Sequence, residues 1–145
     1  MVTFQTSLTP KRIPMTKKLL FVTTILLALS LAAFAADVTG KWTFEQQGRG
    51  GNTQTVTLNL KADGGTVTGT VVRPGRNGNM EAQISDGKIE GDHISFKTSQ
   101  QMGDNTITIE YSGTISGDSI NLKVTRPGRD GNPMTSEVTA KRATT

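Results

Sequence analysis

From Val38 to Lys141 apolar and polar residues alternate with a period of two, in short runs rich in Thr, Val and Ile. That is the pattern of half-buried strands, and no run carries the 3.6-residue period of a helix. The first run, Thr39 to Gln47, sets Trp42 and Phe44 against Lys41, Thr43 and Glu45; the second, Thr53 to Lys61, sets Val56, Leu58 and Leu60 against Thr55, Thr57 and Asn59. In the third, Thr66 to Arg73, the inward parity of Val67, Gly69 and Val71 also carries Arg73. Met80, Ala82 and Ile84 continue inward on the fourth, but Ile89 is out of step by one residue. An extra residue at Asp86-Gly87 predicts a β-bulge there. Ile94, Phe96 and Thr98 mark the fifth strand, and Ile107, Ile109, Tyr111, Gly113 and Ile115 the sixth. Ile120, Leu122, Val124 and Arg126 share one face of the seventh, and Met134, Ser136, Val138 and Ala140 one face of the last, which runs to about Lys141.

Eight sequential strands joined by short connections predict an all-β fold, an eight-stranded up-and-down antiparallel β-barrel, because closure removes exposed edges. The alternative is a β-sandwich, which needs crossovers that such short loops do not readily supply. In a barrel of this kind alternate connections share an end. Even-numbered connections are the tight turns Asp63-Gly64, Gly91-Asp92 and Gly117-Asp118. Odd-numbered ones repeat a motif, G-R-x-G-N, at Gly48–Asn52, Gly75–Asn79 and Gly128–Asn132, with a degenerate copy at Met102–Asn105. One end therefore gathers Arg49, Arg73, Arg76, Arg126 and Arg129, and the other Asp63, Glu90, Asp92 and Asp118.

The segment ahead of the first strand reads differently. Met15-Thr16-Lys17-Lys18 precedes an apolar run from Leu19 to Leu31 and then Ala33-Phe34-Ala35, a small-x-small cleavage signal. The run is shorter than the roughly 20 residues that span a bilayer. The expected organisation is an upstream extension over 1–14, a secretory signal peptide over 15–36, and one β-barrel domain over 37–145, with no stable membrane anchor after cleavage. Export is to the periplasm or beyond. Four of the 16 basic residues lie before the cut, leaving 12 against 12 acidic residues. The mature chain is thus formally neutral, and the overall basicity gives no ground for a nucleic-acid partner. The absence of cysteine excludes disulfides and thiolate metal sites.

Candidate chemistry concentrates in the arginine end. A guanidinium fork recognises carboxylate, phosphate or sulfate in bidentate fashion. Arg73 and Arg126 are the sharper candidates, since parity turns them to the mouth of the lumen, where an unpaired charge is costly. Arg49, Arg76 and Arg129 form an outer collar, and Met80, Met102 and Met134 either plug the barrel or make an adaptable apolar rim. The collar's glycines and asparagines also suit left-handed turns, and Glu81 and Asp130 lie near enough in sequence to pair its arginines. His93 stands alone beside a turn at the opposite end, outward by parity. No Ser/His/Asp set, carboxylate pair, metal cluster or helix-opening phosphate cradle is present in the sequence, so no catalytic residue, metal or cofactor is implied.

Gly40-Lys41-Trp42 resembles the G-x-W signature of the calycins, the group that contains lipocalins and avidins. Ala62-Asp63-Gly64 followed by Thr68-Gly69-Thr70 is similar to avidins. The resemblance implies that Trp42 lies near the closed end under a basic residue from the last strand, here Lys141 or Arg142, and that the longer loops stand at the open end. Gly40, Trp42 and Arg142 would then be structural. A single tryptophan does not imply a biotin site, and Phe44, Phe96 and Tyr111 offer little aromatic lining for a large cavity. The expected function is a non-enzymatic exported binding module for a small molecule with an anionic or carbonyl-rich head. The alternative is a protein-interaction barrel, either a periplasmic inhibitor or an envelope or matrix component.

Overall fold

A computed structural model describes residues 36–48 and 50–144. The expected extension, most of the signal peptide and Arg49 lie outside the described residues. The strands are β1 (Gly40–Gln47), β2 (Thr53–Asp63), β3 (Thr66–Gly75), β4 (Gly78–Glu90), β5 (His93–Met102), β6 (Asn105–Ser116), β7 (Ser119–Pro127) and β8 (Pro133–Arg142). They form a closed barrel in sequence order, every neighbouring pair antiparallel. The barrel is therefore the fold, and the sandwich is not.

On β1 to β7 the buried residues fall on the inward parity read from the sequence, while on β8 only Ala140 of the inward set is buried and Met134 and Ser136 are exposed. Trp42, Phe44, Leu58, Val71, Phe96, Tyr111 and Leu122 are each at most 2% exposed. They fill the lumen from its closed end, as an eight-stranded barrel allows. The bulge falls where the apolar period slips. Between its neighbours' registers β4 carries one residue more than β3 and one more than β5, with Asp86 at φ 51°. Gly87 sits inside the bend because a Cβ there would lie 1.9 Å from the Val67 carbonyl oxygen.

The closed end is held by one arginine. Arg142, not Lys141, stacks its guanidinium 4.3 Å from the Trp42 ring centroid and donates to the carbonyls of Thr39 and Asp37 and to Asp118 Oδ1. Register decides between the two: Arg142 pairs opposite Trp42, while Lys141 pairs opposite Thr43 and is exposed. Gly40 leaves room for the fork, since a Cβ there would meet Arg142 Nη1 at 3.0 Å. Trp42 Nε1 donates to the Val38 carbonyl at 2.9 Å, so Val38, wholly buried, caps the lumen from below.

The seam that closes the barrel is short. The β1–β8 ladder consists of Trp42↔Arg142 and Thr43↔Lys141, beside the closed end, whereas β1 pairs with β2 along its full length. Above Thr43 the facing edges of β1 and β8 have no ladder partner among the described residues.

Candidate functional site at the arginine end

The repeated loops share a cross-strand unit that begins two residues before each glycine. Gln46, Arg73 and Arg126, all inward by parity, pair with Gln54, Met80 and Met134 respectively. The partner side chain then folds against the glycine that opens the loop. A Cβ on Gly48 would lie 2.6 Å from the Gln54 side chain, on Gly75 2.7 Å from Met80 Sδ, and on Gly128 3.1 Å from Met134 Cγ. The opening glycine of each motif is thus a seat for the side chain of the next strand. Parity alone finds the arginines, but the equivalence of Gln46 with them shows only once the ladder registers are known.

The turns themselves differ. In the first and third copies the glycine amide donates to the asparagine carbonyl, Gly48 to Asn52 and Gly128 to Asn132, each at 2.8 Å. In the second, Gly75 and Gly78 pair directly and only Arg76 and Asn77 form the turn. Asp86 is the single described non-glycine residue with positive φ. The expected left-handed role of the motif asparagines is therefore not seen; Asn52 and Asn132 serve as carbonyl acceptors instead.

Arg73 reaches down into the lumen. Its Nη2 donates to the Tyr111 hydroxyl, and its Cζ lies 5.9 Å from the centroid of that ring, which stacks on Phe96 at 4.6 Å and 14°. Burial pushes the Tyr111 phenol above its usual pKa, while the nearby positive charge of Arg73 and hydrogen bonds from Thr98 and Arg73 act the other way. Arg126 is half-buried on β7. Neither arginine has a carboxylate partner among the described residues. Among the described residues the ion pairs are Lys97–Glu110 at 3.1 Å and Arg142–Asp118 at 3.2 Å. Glu81 does not pair with the collar because it stands on the outward face of β4, exposed, and Asp130 is exposed on its loop.

A cleft of about 400 Å³ opens at this level between β1 and β8. Arg73 and Arg126 line it with Gln46, Val124, Met134 and Ser136, and Glu45 and Glu137 stand at its outer lip. Of the sequence candidates it brings together Arg73, Arg126 and Met134. Arg76 and Arg129 are exposed on their turns and outside the lining, as are Met80, half-buried against Gly75, and Met102, half-exposed at the β5–β6 turn. Met134 is 52% exposed and Met102 50%, so neither plugs the lumen. The reason for Met134 is the open seam: no β1 residue covers that stretch of β8.

A larger depression of about 540 Å³ lies on the outer wall, with His93, Ser112, Asn121, Lys123, Glu137 and Thr139 along it. Its charged groups are exposed, and it contains no half-buried unpaired charge, so the mouth cleft is the better candidate despite its smaller volume. Among the described residues no cluster of three or more His, Asp or Glu side chains is placed to hold a metal ion.

No family model, no curated protein and no solved structure matches this chain.

Proposed function

We propose that the chain is an exported, non-enzymatic binding module whose mouth cleft takes a molecule with an anionic head. The observation that carries this reading is the pair Arg73 and Arg126, two half-buried guanidinium groups facing one cleft with no carboxylate partner among the described residues. A partly desolvated, uncompensated positive charge costs stability unless water or a counter-charge reaches it. An incoming carboxylate, phosphate or sulfate supplies that charge and accepts from both forks. Gln46 adds a carboxamide, while Val124, Val138 and Met134 offer apolar surface for the rest of the molecule. The cleft volume falls in the range of small-molecule sites, roughly 300–1,000 Å³. Export is supported by the apolar run and the Ala33-Phe34-Ala35 signal that follows it. The lone histidine, at the closed end, leaves the cleft without an imidazole for acid–base work.

The test is a thermal-shift screen of carboxylates, sulfates, phosphates and neutral carbonyl compounds against the wild type and the Arg73→Gln/Arg126→Gln double variant. Anionic members are expected to raise the wild-type Tm and to leave the variant unmoved. Equal shifts in both proteins for every hit would refute the reading.

A further inference from the structure

The cleft is more than a basin at the mouth, because it coincides with a break in the barrel wall. Pairing between β1 and β8 ends at Thr43↔Lys141, and the cleft is lined from that point by Glu45, Gln46 and Gln47 on one side and Ser136, Glu137 and Val138 on the other. Both strands are fully paired on their far sides, β1 with β2 and β8 with β7. What faces the slit is therefore a pair of strand edges whose backbone donors and acceptors have no strand partner among the described residues. Such edges are templates for an added strand. Along Glu45–Gln47 the slit runs roughly 10 Å at about 3.3 Å per residue.

We infer that this slit takes an extended peptide, added as a strand along the free edge of β8, with an acidic side chain turned inward to Arg73 and Arg126. The inference rests on the anion-binding reading of those two arginines and adds the class of ligand. Charge fixes the peptide's parity. Inside the slit the charged groups are the two guanidinium forks, and at its outer lip they are the carboxylates Glu45 and Glu137. Side chains of a strand alternate between faces, so the matching sequence alternates acidic residues inward with basic residues outward. A second copy of the barrel is a poorer occupant, because its own corresponding edges lie within its own slit and not on a protruding rim.

The probe is an acetylated, amidated peptide that alternates Lys with Glu or Val and carries a central Glu, labelled with a fluorophore and followed by anisotropy on the intact protein. It is compared with a peptide of the same composition in which acidic and basic residues are placed in adjacent blocks and no longer alternate, with a copy N-methylated at two successive central residues, and with an aliphatic carboxylate. The inference expects the matched peptide to bind, and expects the block-ordered and N-methylated peptides and the Arg73→Gln/Arg126→Gln variant each to weaken binding by about tenfold or more. Equal binding of methylated and unmethylated peptide would overturn strand addition while leaving the anion site standing. Binding of the carboxylate but of no peptide would do the same. Binding of neither by a protein with wild-type thermal stability would overturn both readings.

Discussion

At the residue scale the site is a contest over Tyr111. The chain has one tyrosine, so absorbance at the tyrosinate band reports this group alone. Burial raises its pKa above the usual value of about 10, and the first opposing influence is the Arg73 charge. The folded protein therefore holds the phenolic proton more tightly than the unfolded chain does. That contribution to stability is whole below pH of about 10 and is lost as pH climbs from there through the folded pKa. Two outcomes are expected in a spectrophotometric titration. The wild-type midpoint lies above that of a tyrosine peptide, and Arg73→Gln moves it further up, because the opposing charge is gone. A midpoint that falls in the variant would mean that Arg73 does not reach the phenol in solution.

At the element scale, strand parity was legible because β1 to β7 each bury residues on one face, and a buried face fixes which residues point inward. Arg73 and Arg126 were placed by the same count that placed Val71 and Val124. The bulge at Asp86-Gly87 was legible too, since a slip of one residue in an apolar period has few other causes. The prediction that belongs here is Gly87→Ala. Its methyl would run into the Val67 backbone carbonyl, which cannot swing aside as a side chain could, and is expected to cost about 1–3 kcal/mol in urea unfolding, against little change for the exposed neighbour Lys88→Ala. The turns were less legible. The same G-R-x-G-N letters close a five-residue loop at Gly48–Asn52 and a two-residue turn at Arg76-Asn77, because the register of the flanking ladder, not the motif, sets where pairing resumes. The seating of Met80 and Met134 against Gly75 and Gly128 was hidden for the same reason: it depends on cross-strand partners that no local stretch contains.

At the scale of the whole molecule, the two ends differ in kind. Arg142 ties Trp42, Asp37, Thr39 and Asp118 into a sealed base, while Arg73 and Arg126 line the cleft of an incompletely closed top. Loop chemistry and strand count foretold which residues share an end. They did not foretell the short β1–β8 seam, because pairing between the first and last strands is the longest-range contact in the barrel and leaves no mark in either strand's alternation. Yet the seam turns a mouth into a lateral cleft and exposes Met134 beside Arg126. The central claim is that Arg73 and Arg126 together form an anion site in this cleft. Its most direct measurement is isothermal titration calorimetry with octanoate, and with octanol as the uncharged control, on the wild type and on Arg73→Gln/Arg126→Gln. The account predicts saturable heat for octanoate on the wild type alone, and no comparable binding of octanol. Octanoate binding of equal affinity to the double variant, or no binding to either protein, would contradict it.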